Sequence, residues 1–500
     1  MVESDKAVST MVGEPSDVKL TSESEKDSTV LREGEPEVSR GSLAPTGAVP
    51  PLAMADQPIA NSARPPIGEG NKPPISDGAK PPKRKGRSRL VSLLQLALFL
   101  FGLGWAIFYC PHGHLDAMQI PGFLIAMSIS WWLTPEIRSR ALNLGLVDKP
   151  GEERRIHKVP IPRLGGVAIF ISILITVAAL IAIAGKLPNE ARRIEGLAGI
   201  AVGGTLVFVL GLLDDLESLR ARMKFIVQIL AACAAYSLGV RIKSIPIPAN
   251  MNFDLGILAI HGGVPIELGW FSLPITVLWL VGVANAVNLI DGMDGLAAGV
   301  SAISALTIWS VALGMSIDRP YAALIAAILA GALFGFLRWN FNPARIFLGD
   351  SGAYLVGFIL GAISITGVIK GAAAATVIVP TVLLVVLILF FPLLDTSWAI
   401  VRRMAARRSI FSPDAGHIHH RLLRAGFSQK KVAYLIYGAS GILGLIAAYL
   451  VDQHWYFLSI AGAVLVMAIF FAEVLNKHRQ RGKAIGSDPD GPDTSSPSET

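Results

Sequence analysis

The sequence predicts an all-α polytopic membrane protein. Three observations carry this. The chain of 500 residues is 52% hydrophobic and only 16% charged. Its mean hydropathy is +0.54. Its apolar residues fall in about twelve runs of roughly twenty, the length at which a helix crosses a bilayer. A soluble globule does not distribute its apolar residues this way. The net charge of +7 would suit nucleic acid in a soluble chain, but in a membrane chain loop Lys and Arg report orientation. We therefore expect membrane lipid and no nucleic acid as surroundings. The two cysteines, Cys110 and Cys233, both lie in apolar runs and suggest neither a disulfide framework nor a metal site.

Residues 1–90 are rich in Pro, Ser, Gly and Glu without apolar periodicity and read as a disordered tail. The tail ends in a basic run, Lys83-Arg84-Lys85-Gly86-Arg87-Ser88-Arg89. The expected spans are 91–110, 119–137, 164–185, 196–213, 224–240, 272–290, 296–315, 321–340, 351–369, 376–398, 432–450 and 456–475. The first, with its outer loop, makes an extra N-terminal transmembrane helix and loop over 91–118. The main polytopic domain follows over 119–475, and 476–500 is a second polar tail.

Twelve spans put both termini on one side, and the basic run before the first places that side in the cytoplasm. Inward loops then carry 18 Lys and Arg against 7 in outward loops. Every chemically suggestive cluster falls inward. The ionisable residues sit mostly at span ends, whereas a transporter would show broken, polar helices at mid-membrane and repeated halves.

The stretch 285–297 reads Asn-Ala-Val-Asn-Leu-Ile-Asp-Gly-Met-Asp-Gly-Leu-Ala. In a helix, Asn285, Asn288 and Asp291 share one face, and Asp291 to Gly295 then turn the chain. Alone this is a polar turn. It gains weight from its companions. The loop 138–163 holds Asp148-Lys149-Pro150, Arg154-Arg155-Ile156-His157-Lys158 and Pro162-Arg163, with Gly165-Gly166 at the next helix entry. Its cations suit phosphate as well as they suit a positive-inside anchor. Asp214-Asp215 end a span, and adjacent carboxylates there need solvent or a cation. Asn340 and Phe347 flank a turn that leads into Asp350-Ser351-Gly352, where a carboxylate could hold a metal beside an aromatic able to stack on a base. His417-Ile418-His419-His420-Arg421 matches no common zinc spacing and suits a diphosphate better.

This is an inventory for phosphoryl chemistry assisted by an oxygen-liganded cation. No Gly-x-x-x-x-Gly-Lys-Ser/Thr loop is present, which excludes a P-loop ATPase.

In this order the motifs resemble the polyprenyl-phosphate N-acetylhexosamine-1-phosphate transferases, across roughly residues 119–431. The resemblance implies transfer of a sugar 1-phosphate from a UDP-sugar to a polyprenyl phosphate, with release of UMP, and dependence on Mg²⁺ or Mn²⁺. It implies Asp350 as metal ligand, with Asn288 and Asp291 near it. Asp214 and Asp215 would serve the lipid phosphate, one as base. Lys158, Asp294 and Phe347 would hold the uracil, and His417, His419, His420 and Arg421 the diphosphate. The His-x-His-His-Arg form resembles the branch that uses UDP-N-acetylglucosamine. The peptidoglycan branch, which transfers phospho-N-acetylmuramoyl-pentapeptide, is the rival reading, and a sugar transporter is the rival outside the class. The expected location is the cytoplasmic membrane, with the site on its cytoplasmic face. The sequence does not choose between monomer and homodimer.

Overall fold

The computed structural model describes residues 89–109, 115–148, 160–184, 196–245, 253–254, 259–260, 265–314, 320–369, 381–405 and 417–451. The expected tail over 1–90, save its last two residues, lies outside them. So do the span at 456–475, the tail 476–500, and Lys158.

Thirteen α-helices are described. They are α1 (Arg89–Tyr109), α2 (Gln119–Asn143), α3 (Gly165–Ala184), α4 (Leu197–Leu216), α5 (Ala221–Ser237), α6 (Ser272–Ile290), α7 (Leu296–Gly314), α8 (Pro320–Asn340), α9 (Gly349–Ile363), α10 (Thr381–Ile388), α11 (Phe390–Ala405), α12 (Ile418–Arg424) and α13 (Gln429–Val451). Eight of the described helical segments are long and apolar enough to cross a membrane. The chain is an all-α, multi-pass membrane protein. In lipid every backbone polar group must be satisfied within the protein, and helices do this locally.

Three departures from the sequence reading matter. First, α4 runs to Leu216, so Asp214 and Asp215 occupy its last turn and not a loop. Second, the expected span 376–398 is broken at Leu389 into α10 and α11. Pro392 has no N–H to offer the Ile388 carbonyl, so the ladder is weakest there, and α11 continues to Ala405. Third, the loops hold three two-stranded antiparallel ribbons: β1 (Val147–Asp148) with β2 (Ile161–Pro162), β3 (Ser244–Ile245) with β6 (Ile266–Glu267), and β4 (Phe253–Asp254) with β5 (Ala259–Ile260). The ninth expected span is α9 continued by a π-turn over Ser364–Ile369.

The core centres on α9. Each of its residues except Asp350 is buried, and it packs against α3, α4 and α6. Helix α8 is the second buried column, between α2 and α7. By contrast α1 and α3 leave most of their surface to lipid. Lipid tails are as apolar as leucine, so close backbone approach must hold the helices together, and small residues permit it. Gly211 of α4 is such a position. A Cβ there would stand 2.5 Å from the Asp350 carbonyl oxygen and from the Ser351 nitrogen.

Gly211→Ala is therefore expected to destabilise by about 1–3 kcal/mol, the usual cost of overpacking against groups that cannot yield. Gly204→Ala, on the same helix, is the control. Its Cβ would meet only Leu355 Cδ1, at 3.6 Å, and Ile359 Cγ1, at 3.9 Å. Thermal unfolding in detergent should show a lower midpoint for the first and an unchanged or higher one for the second. Equal losses would refute the packing argument.

Candidate active site

The site grows from the first turn of α9. A helix start leaves backbone N–H groups without partners, and Leu348, in the N-cap position, supplies no side-chain bond. Asp215, from the end of α4, supplies them instead. Its Oδ1 accepts the Asp350 N–H at 2.8 Å. Its Oδ2 accepts the Ser351 N–H at 3.0 Å and the Ser351 hydroxyl at 2.6 Å. Gly349 makes the approach possible. Its φ is +76°, and a Cβ there would collide with the Arg163 carbonyl and stand 2.7 Å from Asp215 Oδ2.

Asp214 points elsewhere. Its Oδ1 accepts the Leu219 N–H at 2.7 Å, and its Oδ2 pairs with the Lys224 ammonium of α5. Lys224 Nζ also lies 3.6 Å from Asp350 Oδ2. Asn288 Nδ2 donates to Asp350 Oδ1 at 2.7 Å. Asp214, Lys224, Asp350 and Asn288 thus form one continuous cluster, with Asp215 behind it. Asn285, one turn deeper, donates to Gln228 Oε1 at 2.6 Å and to the Val281 carbonyl at 2.8 Å. Helix α6 ends at Ile290, so Asp291 is its C-cap and not a further helical position.

The turn after α6 joins this cluster to two other segments. Burial, and the nearby carboxylates of Asp350 and Asp215, push the Asp291 carboxyl well above its ordinary range, while Arg163 pulls it down. Asp294 is 3% exposed and faces the loop 341–348. Its Oδ2 accepts Asn342 Nδ2–H at 2.9 Å and the Ala344 N–H at 3.0 Å. Asn340 closes that loop, donating from Nδ2 to the Ile346 carbonyl at 3.0 Å. Phe347 lies at the seam with the Gly-Gly entry of α3. Its N–H donates to the Pro162 carbonyl at 2.8 Å, and its carbonyl accepts the Gly165 N–H at 3.0 Å. The paired glycines serve backbone approach here, since a Cβ on Gly166 would strike the Gly352 backbone.

The histidine motif opens α12. His417 and His419 are 5% and 1% exposed, with rings stacked at 5.7 Å between centroids. His420 is half-buried and Arg421 exposed. Both buried rings gather on Asp395 of α11, which is 3% exposed. Asp395 Oδ2 lies 3.0 Å from His417 Nδ1 and 3.9 Å from His419 Nδ1, and Oδ1 accepts the Ile418 N–H at 2.9 Å. His419 in turn rests on the Asp291–Gly295 turn, where a Cβ on Gly292 would stand 2.6 Å from its Nε2.

Two residues of this arrangement escaped the sequence reading. In sequence Lys224 is one of three basic residues, with Arg220 and Arg222, that could equally solvate the Asp pair. Asp395 was passed over inside Phe390-Phe391-Pro392-Leu393-Leu394-Asp395, although an ionisable group in an apolar span is a functional signal by default.

The donor set suits a hard divalent cation. Asp214, Asp215, Asp291 and Asp350 lie close to Lys224 and Arg163, and burial first, then the neighbouring carboxylates, raises the Asp291 carboxyl. Among the described residues no three His, Cys, Asp or Glu side chains already converge at ligand distance.

Burial, with neighbouring His420, lowers the His419 pKa to about 4, against the pull of Asp395. Unfolded histidine titrates near 6.5. Between these values the unfolded chain binds a proton that the folded one refuses, so stability falls as pH falls from about 6.5 toward about 4. The unfolding midpoint in detergent should drop across that interval, and His419→Gln should flatten part of the drop. Identical slopes would show that His419 is not held neutral.

Residues 197–368 match the family described as glycosyl transferase family 4. The chain is 33% identical over 356 residues to the probable undecaprenyl-phosphate N-acetylglucosaminyl 1-phosphate transferase of Bacillus subtilis (strain 168), covering 71% of this chain and 91% of that one. It is 38% identical over 340 residues to the decaprenyl-phosphate N-acetylglucosaminephosphotransferase of Mycobacterium tuberculosis (strain H37Rv), covering 65% and 80%. It is 29% identical over 349 residues to the undecaprenyl-phosphate alpha-N-acetylglucosaminyl 1-phosphate transferase of Thermotoga maritima, covering 70% and 96%. With a bundle of membrane helices gathering the polar motifs at one end, and relatives matched over most of their length, the chain belongs to glycosyl transferase family 4, the membrane-embedded polyprenyl-phosphate sugar-1-phosphate transferases.

Proposed function

We propose that this chain transfers N-acetylglucosamine 1-phosphate from UDP-N-acetylglucosamine to a polyprenyl phosphate and releases UMP. The reaction would start a lipid-linked envelope glycan, at the cytoplasmic face of the cytoplasmic membrane. The observation that carries this reading is the cluster of Asp350, Asn288, Asp214 and Lys224 at the end of the buried helix α9. The names of the relatives and the His-x-His-His-Arg form support N-acetylglucosamine over the pentapeptide-bearing sugar.

A nonbridging oxygen of the lipid phosphate attacks the sugar-bearing phosphorus of the donor. The bond from that phosphorus to the bridging oxygen breaks, and UMP leaves with that oxygen. Lys224 puts positive charge where the lipid phosphate arrives. Asp214, beside it, accepts the proton of a monoprotonated lipid phosphate. Asp215 spends both oxygens on α9 and holds the Asp350 backbone in place. Asp350 and the Asn288 side-chain oxygen would hold Mg²⁺, or Mn²⁺ in its stead. When bound, the cation screens two phosphates that otherwise repel. Phe347 would stack on the uracil, and His420 with Arg421 would take the diphosphate from the outer side of α12.

Purified protein given labelled UDP-N-acetylglucosamine, polyprenyl phosphate and Mg²⁺ should form labelled lipid and UMP. Chelation should abolish the reaction and Mg²⁺ restore it. Asp350→Asn keeps the size of the side chain and removes its charge. It should lower turnover by about 100-fold or more in protein that still inserts. Normal turnover of that variant at saturating Mg²⁺ would remove Asp350 from the ligand set.

Direct attack also makes a separate expectation. Enzyme stripped of lipid should not exchange labelled UMP into UDP-N-acetylglucosamine until polyprenyl phosphate is added. Exchange without lipid, lost in Asp214→Asn, would mean a covalent enzyme intermediate.

A further inference from the structure

Asp395 has no part in the transfer chemistry above, yet it is among the most buried carboxylates described. A carboxylate that is 3% exposed is costly unless its lone pairs are used. Here they are used on one short helix. Oδ1 takes the first backbone N–H of α12, from Ile418, at 2.9 Å. Oδ2 takes His417 Nδ1 at 3.0 Å and lies 3.9 Å from His419 Nδ1. Helix α12 has only seven residues and no side-chain bond from its own N-cap, so it cannot hold its place by itself. A carboxylate only accepts, so His417 must carry its hydrogen on Nδ1. The partner of one ring nitrogen thus decides what the other can do.

We propose that Asp395 is a positioning residue for the transfer, acting through the histidine motif. It fixes His417 in the Nδ1–H form and seats α12 so that His419 lies on Gly292, within the Asp291–Gly295 turn. That seating leaves half-buried His420 and exposed Arg421 on the outer side of the helix, in fixed register with the Asp350 cluster. Asp395 thereby couples α11, which follows the break at Leu389, to the turn after α6. The proposal rests on the diphosphate reading of the motif, and it concerns the charge of Asp395 and not merely its capping bond.

Asp395→Asn separates those two duties. The amide oxygen can still accept the Ile418 N–H, but the amide nitrogen would donate to His417 Nδ1 and reverse its tautomer. Asp395→Ala removes both bonds. Full-length protein in nanodiscs would be assayed with UDP-N-acetylglucosamine, polyprenyl phosphate and Mg²⁺. The expected result is a fall in kcat/KM for the UDP-sugar of about 10- to 100-fold in both variants, the size seen when a histidine loses its orienting partner elsewhere. The KM for polyprenyl phosphate should not change. The unfolding midpoint should fall in Asp395→Ala and stay near wild type in Asp395→Asn. Wild-type kinetics in Asp395→Asn would reduce Asp395 to a helix cap and overturn the proposal, as would an equal rise in both KM values. Should Asp395→Asn fail to fold, ring ¹⁵N spectra of wild-type protein decide, with His417 assigned by loss of its signal in His417→Gln. Hydrogen on Nδ1 supports the proposal, and hydrogen on Nε2 overturns it. If wild-type protein makes no labelled lipid, the donor or acceptor reading has failed, and the ¹⁵N measurement still tests Asp395.

Discussion

The first turn of α9 depends on a carboxylate that another helix brings to it. Asp215 satisfies the N–H groups of Asp350 and Ser351 and the Ser351 hydroxyl together. A negative charge also complements the positive end of the helix. This one interaction fixes the depth of α9 against α4, and α9 is the column on which α3, α4 and α6 pack. The steric consequences follow from it. Gly211 must be bare because the Asp350 carbonyl lies against α4, and Gly349 because Asp215 and the Arg163 carbonyl crowd it. The position of Asp350, and with it the rest of the cluster, is inherited from this cap.

The arrangement concentrates charge at an interface between lipid and water. Asp214 and Lys224 neutralise one another, Asp215 is absorbed by backbone donors, and Asp350 is shared between Asn288 and Lys224. Arg163 offsets only part of the charge around Asp291, whose carboxyl is driven upward by burial and by the acids near it. Among the described residues the site gathers more carboxylates than cations. Low effective dielectric makes it attract cations strongly, and attraction of that sort lets two phosphates be brought together.

How much of this could be read from the sequence differs by element, for physical reasons. The span from α6 to α8 was legible almost to the residue, because twenty apolar residues and a polar turn leave little freedom. The break at Leu389 was less so, because Pro392 sits within 382–394, a stretch that is apolar throughout. Asp350 and Asn288 lie within hydrogen-bond distance, the neighbours that the family resemblance implies. The capping duty of Asp215 was not legible, because its partners lie 135 and 136 residues away. Asn340 flanks the turn that its sequence position predicts, and its amide closes that loop. The histidines were read as one group facing a diphosphate, yet His417 and His419 turn inward to Asp395. Their spacing alone could not say which side of a short helix is buried. Lys158 lies outside the described residues.

The long reach of the contacts around α9 bears on how the protein is made. Asp215 leaves the ribosome 135 residues before the backbone N–H it will bind, and Pro162 emerges earlier still, 185 residues ahead of Phe347 by position in the chain. At about 5–20 residues per second, α4 therefore waits on the order of ten seconds in the membrane with the Asp215 carboxylate lacking its later partners. During that interval the half-built bundle has a gap where α9 will stand. Biogenesis thus has an order imposed on it: the early helices must be held near one another, by the insertion machinery or by water at the interface, until the ninth arrives and closes the assembly in one step.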